Sequence, residues 1–266
     1  MSDPTETFSA TPICEMIGLA VARGQDPDAA TLDDVNWQLQ PGEYWAVGGL
    51  PGSGKSLLLE TAAALLRPAR GTHRLFGSDV AELRGDDLSQ VRRRIGLVFG
   101  AGGRLFNDLT VGENVLLPIA YDRNCAAGEA LEEVRPLLDW MGLTPLVHHR
   151  PARLTADWRQ RVALARALAL QPAALLLDNP LNGLEGRQLR WWLAALARLA
   201  AGHPWLGSKP IALVVACEDL RPFVAHAQRF AALCSHRFVP VGGAKELQQC
   251  PEPVVRELLG EESLTE

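Results

Sequence analysis

Residues 43–60 read EYWAVGGLPGSGKSLLLE, and this stretch combines three local signals in a fixed order. The apolar run from Glu43 to Gly48 predicts a buried strand, and the apolar helical pattern from Lys55 to Leu66 predicts a helix. Between them, residues Gly49 to Ser56 read GLPGSGKS and match the pattern GxxxxGK[ST]. A strand, a glycine-rich loop and a helix in this order are the context in which that pattern binds phosphate groups.

The residue types in this loop explain the predicted chemistry. Glycines let the backbone curl, so that successive N–H groups and the helix N-terminus point at phosphate oxygens. Lys55 adds a positive charge near the β and γ phosphates, and the hydroxyl of Ser56 is a ligand for Mg²⁺. The residues predicted to contact the bound nucleotide are Gly49, Pro51, Gly52, Ser53, Gly54, Lys55, Ser56 and Leu57.

Further apolar runs predict the rest of the core. Short strands are expected at Ile95–Phe99, Ala174–Asp178 and Ile211–Ala216, separated by helical patterns. Such an arrangement predicts a mostly parallel sheet covered by helices on both faces. Asp178 ends one of these strands in the sequence LLLDNP, and together with Ser56 it is predicted to hold the metal ion.

A helix-rich insert separates the second and third of these strands. Its helical candidates are Val111 to Tyr121 and Ala130 to Met141, and it is expected to form a separate lobe.

Composition excludes some classes of protein. Lys and Arg total 26 against 31 Asp and Glu, which gives a net charge of -5 and no basic excess for binding nucleic acid. Five cysteines without a CxxC pair favour a reducing compartment and indicate neither zinc nor disulfides. The amino-terminal residues lack a signal-peptide pattern, and the most apolar stretch, Val162 to Leu177, is too short and too interrupted to insert directly into a membrane.

The order of five segments resembles the nucleotide-binding subunit of an ABC transporter over nearly the whole chain. These segments are GLPGSGKS, RRRIGLVF, LTADWRQRVALARAL, LLLDNPLNGLEG and VVACEDL. More narrowly, QVRRRIGLVFG followed by RLFNDLTVGENVLLPI resembles the branch that serves Mla- and Mce-type lipid transport. The resemblance implies ATP and Mg²⁺ as cofactors, a homologous ATP-binding subunit as dimer partner, and an integral-membrane permease docked on the lobe.

The resemblance also implies the fold class. This is α/β: a P-loop NTPase core of the ABC type, with a small antiparallel β subdomain and an inserted α-helical subdomain. We expect a single nucleotide-binding domain over residues 1–266. Its core with the β subdomain spans 13–99 and 160–240, the helical lobe with the signature spans 100–159, and a tail spans 241–266. The expected location is cytoplasmic, on the inner face of the cell membrane through the permease.

Several positions depart from the family at the γ-phosphate, and we therefore assign no catalytic residue. Asn179 stands where the family has a glutamate that polarises the attacking water, and Glu218 stands where it has a switch histidine. An amide has no basic lone pair to accept a proton. Gly100 replaces a glutamine, and the position of the adenine-stacking aromatic matches Val21.

The family's LSGGQ signature is also altered, since this chain has Leu154 followed by Thr155, Ala156, Asp157 and Trp158. A carboxylate at Asp157 would repel phosphate. Asp157 and Gln160 have the spacing of a capping box, so we expect Asp157 to cap the following helix from within. A plain cap without functional consequence is the simpler interpretation.

Three functions stay open. The chain could be a transporter subunit that binds ATP and hydrolyses it poorly, or one in which Asp219, Glu185 or Glu218 compensates for Asn179. The third is a non-catalytic ABC-like module that stabilises or regulates a membrane complex. If ATP binding closes a dimer and the lobe passes this closure to a permease, we expect Leu105, Phe106 and residues 116–118 to be docking positions.

Overall fold

The structure is a computed structural model that describes residues 11–22, 31–100 and 103–261. Its strands lie in two sheets, one of order β2-β1-β4-β5 and one of order β10-β9-β3-β8-β7-β6. The strands are β1 (Cys14–Val21), β2 (Leu32–Leu39), β3 (Tyr44–Gly49), β4 (Arg70–Leu75), β5 (Ser78–Asp79), β6 (Ile95–Val98), β7 (Ala174–Asp178), β8 (Ala212–Cys217), β9 (Arg229–Cys234) and β10 (Arg237–Gly242).

The larger sheet is parallel from β9 to β6, and β10 joins its edge antiparallel to β9. Every residue of β3 and β8 is buried. Successive residues of β3 face opposite sides: Tyr44 and Ala46 belong to one apolar cluster, whereas Trp45 and Val47 belong to another. The sheet therefore has a packed core on each face, as its uninterrupted apolar strands predict.

Helices cover the two faces of this sheet and form the insertion. They are α1 (Lys55–Ala62), α2 (Gly85–Arg93), α3 (Val111–Arg123), α4 (Ala127–Trp140), α5 (Ala156–Leu168), α6 (Gly186–Ala201), α7 (Ala244–Gln249) and α8 (Pro253–Leu258).

The smaller sheet is the antiparallel part of the fold. In it β1 pairs antiparallel with both β2 and β4, and β4 pairs with β5. The apolar cluster that contains Trp45 and Val47 extends into this sheet through Leu19 and Val35. The predicted fold class, an α/β core with an antiparallel β subdomain and a helical insertion, is confirmed.

The insertion is built from α3 and α4, which pack against each other, and α3 also packs against α5. Thr110 begins α3 with a capping box: its hydroxyl accepts from the Glu113 N–H, and the Glu113 carboxylate accepts from the Thr110 N–H. Both helices predicted in the lobe are therefore confirmed. Helix α5 runs continuously across the predicted boundary at residue 159, so the signature region is joined to the core by an unbroken helix.

The predicted docking segment 116–118 is wrong at its first residue. Leu116 points into the core of the lobe and is only 6% exposed, so it cannot contact a partner. Phe106 is 53% exposed on the same lobe, and Tyr121 at the end of α3 is 83% exposed. Within the described residues, the structure contains no helix with both the length and the apolar character needed to cross a bilayer.

Candidate nucleotide-binding site

The glycine-rich loop connects the end of β3 to the start of α1. Gly54 lies at the N-cap of α1 with φ of 94°, a left-handed conformation that favours glycine. Gly49 is needed for a different reason, because a Cβ atom there would lie 2.4 Å from the Ser53 hydroxyl oxygen. The loop is thus a tight turn between strand and helix, and its backbone can approach a ligand closely. Leu57, also predicted to contact the nucleotide, has its side chain in the core and could contribute only its backbone.

Lys55 is folded back over this loop. Its ammonium group donates to the carbonyl oxygens of Gly49 at 2.5 Å and Leu50 at 2.9 Å. It also forms an ion pair with Oε1 of Glu218 at 3.3 Å, although the Lys55 side chain is only 5% exposed. The predicted lysine is therefore in place at the loop, and its charge is already matched by the carboxylate of Glu218, which directly follows β8.

Ser56 and Asp178 lie together, as their predicted role as metal ligands requires. The Ser56 hydroxyl donates to Oδ2 of Asp178 at 2.7 Å. The other carboxylate oxygen, Oδ1, is buried and has no hydrogen-bond partner within the described part of the chain. A buried oxygen without a partner is costly, and Mg²⁺ prefers oxygen ligands of this kind. The residues present therefore fit a magnesium ion.

Asn179 and Glu218 meet because β7 and β8 are parallel neighbours, with Asp178 opposite Ala216. The carboxyl ends of the two strands thus reach the same edge of the sheet. The side-chain amide of Asn179 donates to Oε1 of Glu218 at 3.3 Å. Asn179 has φ of 45°, a left-handed conformation that asparagine adopts more readily than most residues. The Glu218 oxygen therefore lies within reach of both Lys55 and Asn179.

Gly100 follows β6 and lies beside the carboxylate that would hold the metal. A Cβ atom at this position would lie 3.6 Å from Oδ2 of Asp178. A side chain at position 100 would thus reach the site, and glycine supplies none. Next to it is a cavity of about 740 Å³, lined by residues that include Ser56, Asp178 and Gln160.

Two of the three acids considered as replacements for the missing glutamate are poorly suited. Burial raises the pKa of Asp219, but the hydrogen bonds from Arg221 outweigh it and hold that pKa below its ordinary value. Glu185 precedes α6 on the exposed surface. Among these three acids, Glu218 is the one that contacts Lys55.

The capping-box prediction for Asp157 is wrong. Thr155 is the N-cap of α5, with no side-chain cap, and Asp157 lies within the first turn. The buried carboxylate of Asp157 accepts from Nε1 of Trp192 at 3.3 Å and pairs with Arg161 at 3.4 Å. The sequence spacing pointed to the local backbone, but partners on α6 and on the next turn of α5 bind this side chain instead. It therefore holds two helices together.

The remaining signature positions differ in exposure. Thr155 and Ala156 are exposed at the start of α5, whereas Trp158 is partly buried beneath the Arg161 guanidinium, 4.7 Å from its ring centroid. Gln160 donates to the carbonyl oxygen of Phe99 at 3.4 Å. The prediction that Val21 lies at the adenine-stacking position is also wrong, since this side chain is fully buried in the core and cannot contact a base.

Fold and site together define a P-loop nucleotide-binding domain with an inserted helical subdomain. The sequence model of the ABC transporter family matches residues 32–182. The chain belongs to the ABC transporter family and contains its ATP-binding domain.

Relatives with known roles agree with this assignment. The chain is 31% identical over 252 residues to the macrolide export ATP-binding/permease protein MacB of Azoarcus sp. (strain BH72), covering 94% of this chain and 37% of that protein. The chain therefore spans only about a third of this relative. It is also 31% identical over 242 residues to the methionine import ATP-binding protein MetN 2 of Pectobacterium atrosepticum, covering 90% of this chain and 68% of that protein.

A solved structure agrees in fold. The ATP-binding cassette MJ0796, in a dimeric post-hydrolysis state bound to ADP and phosphate, superposes with a TM-score of 0.74 at 27% identity. The match covers 84% of this chain and 95% of that one.

Proposed function

We propose that this chain is the ATP-binding subunit of a membrane transport complex, and that it binds Mg-ATP but hydrolyses it slowly. One observation carries the proposal. The groups expected to hold a nucleotide lie together, since Ser56 contacts Asp178 and Lys55 lies at the loop, and the side chain that contacts Lys55 is the anion Glu218, with the amide of Asn179 beside it. By resemblance, Asn179 and Glu218 stand where the family has a glutamate and a histidine.

Binding and hydrolysis depend on different atoms. The loop amides and Lys55 supply positive charge for phosphate oxygens, and Ser56 with Asp178 would hold Mg²⁺, which neutralises charge on the phosphates. A general base must take a proton from the attacking water, and the Asn179 amide cannot do so. Losing such a group slows the chemical step by about 10²- to 10⁴-fold.

The partners are proposed from the family. We expect a homologous ATP-binding subunit and an integral-membrane permease, which would hold the chain at the inner face of the cell membrane. The exposed rings of Phe106 and Tyr121 on the helical lobe support a docking surface there. A lipid or other hydrophobic cargo is proposed from the resemblance of residues 90–100 and 104–119 to the Mla and Mce branch.

A non-catalytic module that regulates or stabilises a membrane complex is the alternative. The ion pair between Lys55 and Glu218 favours it, because a carboxylate already satisfies the lysine that a phosphate would need. A chain of this kind would not need to hydrolyse ATP, and it could keep the fold of the loop without its catalytic function.

Titration calorimetry with ATP, in magnesium and in EDTA, tests the proposal together with a phosphate-release assay. We expect magnesium-dependent binding that Lys55→Ala abolishes and that Lys245→Ala, an exposed lysine on α7, leaves intact. We also expect turnover at least a hundredfold below the enzyme median of about 10 s⁻¹. Turnover near that median contradicts slow hydrolysis, and the lack of any nucleotide binding favours the alternative.

A further inference from the structure

We propose that Glu218 sets the selectivity of this site for the number of phosphates, so that the site binds a nucleoside diphosphate at least as tightly as the triphosphate. This inference rests on the proposed function, since it requires that the loop binds nucleotides. In this role Glu218 is a fixed anion, and the terminal phosphate of a bound nucleotide must compete with it for Lys55.

Lys55 already has several oxygen partners at the loop. An ammonium group has three N–H donors and no acceptor. Three oxygens lie within reach of it: the carbonyls of Gly49 and Leu50, and Oε1 of Glu218. Two of these contacts are hydrogen bonds and the third is an ion pair, so among the described residues the lysine already has three oxygen partners. The two carbonyls belong to the loop itself, so Glu218 is the partner that an incoming phosphate can replace.

Glu218 is anchored beside Lys55. It follows Cys217, the last residue of β8, whose residues are all buried. The amide of Asn179 donates to the same carboxylate oxygen at 3.3 Å, which adds a second contact to the one with Lys55. The carboxylate is thus held at the lysine from two sides, although its side chain remains 41% exposed.

Negative charge at this end of the sheet affects the two nucleotides differently. Asp178 and Asp219 also lie at this end of the sheet; Asp178 accepts from Ser56, whereas Asp219 is paired with Arg221. The loop lysine serves both the β and γ phosphates, so each nucleotide meets the ion pair. The triphosphate brings an additional negative group next to the Glu218 carboxylate, and like charges at close range oppose binding. The penalty therefore falls mainly on the triphosphate.

Dissociation constants for ADP and ATP, each measured in magnesium and in EDTA by calorimetry, test the inference. The wild-type chain is expected to bind ADP at least as tightly as ATP. Glu218→Gln is expected to strengthen ATP binding about tenfold, equivalent to about 1.4 kcal/mol, and ADP binding less than about threefold. Glu218→Ala is expected to shift the ratio in the same direction. Glu129→Gln, which removes an exposed acid in the first turn of α4, is expected to leave the ratio unchanged.

The outcomes separate this inference from the proposed function. Binding of both nucleotides with an unchanged ATP-to-ADP ratio in both Glu218 variants overturns the inference and leaves the proposed function standing. A wild-type chain that strongly prefers ATP also overturns the inference alone. If none of the folded variants, nor the wild type, binds either nucleotide, both are overturned. Circular dichroism of each variant establishes that it is folded.

Discussion

Restoring a carboxylate at position 179 tests the account of slow hydrolysis most directly. We expect Asn179→Glu, combined with Glu218→Gln, to raise the single-turnover rate of ATP cleavage by about 10²- to 10⁴-fold over Glu218→Gln alone, the usual contribution of a general base. The physical reason is that position 179 lies at the carboxyl end of β7, immediately after Asp178, the proposed metal ligand.

The structure predicts that Asn179→Glu alone gives a much smaller gain. The Asn179 amide lies 3.3 Å from Oε1 of Glu218, so a new carboxylate would face an existing one. Two like charges about 4 Å apart repel by about 4 kcal/mol at an effective dielectric constant of 20. The 41% exposure of Glu218 reduces this value through solvent screening. Repulsion of this kind displaces one of the carboxylates from the site or favours its protonated form.

Backbone conformation adds a second cost. Asn179 has φ of 45°, and residues other than glycine, asparagine and aspartate pay about 1 to 2 kcal/mol there. A matched control therefore needs the same strain and side-chain length without the charge, which Asn179→Gln combined with Glu218→Gln provides. All rates are measured by quenched-flow phosphate release under single-turnover conditions, with the protein in excess over Mg-ATP and at a concentration that saturates binding. Equal rates for the glutamate and glutamine variants, with equal nucleotide binding, would refute the argument.

Two further predictions concern stability. Asp157→Ala is expected to lower the free energy of unfolding by about 3 to 5 kcal/mol, because it leaves the charge of Arg161 buried without its partner. Asp157→Asn, which keeps an acceptor for Trp192, should cost less; equal urea midpoints for Asp157→Ala and wild type would contradict the proposed tie between α5 and α6. Burial lowers the pKa of His73 to about 4, whereas in the unfolded chain it is about 6.5. The unfolded state thus binds a proton first as pH falls, so stability is lost between about pH 6.5 and 4, and His73→Gln should flatten this part of the urea-midpoint profile.

The parts of the site that the sequence predicts are those fixed by local pattern. The strand, loop and helix around Lys55 follow from glycine spacing and apolar periodicity, and each is confirmed. The meeting of Asp178 with Ser56 follows from parallel strands whose carboxyl ends share one edge. The first result needs only local sequence, whereas the contact between Ser56 and Asp178 joins distant residues and needs the order of parallel strands as well.

The errors concern side chains whose partners lie far away in the sequence. Asp157 has the spacing of a cap, but Trp192 on another helix binds it, and no local pattern reveals that contact. The ion pair between Lys55 and Glu218 was missed for the same reason. Helix α3 shows the contrast: in its capping box, Thr110 and Glu113 bind each other's backbone N–H groups, so the partners lie only three residues apart.

The pairing of Asp157 with Arg161 bears on the nucleotide site that α5 would share with the partner in the proposed dimer. In that dimer, the start of α5 would face the partner's nucleotide, and a free carboxylate there would repel its phosphates. The Asp157 carboxylate is instead buried and paired with Arg161, so its charge is matched within this chain. Compared with the family signature, this segment would then differ mainly in the size of side chains such as Ala156 and Trp158, and less in its net charge. The departures at Asn179, Glu218 and Gly100 all concern the site on this chain's own loop. Asp157→Gly should accordingly weaken the packing of α5 against α6 and not release a phosphate site.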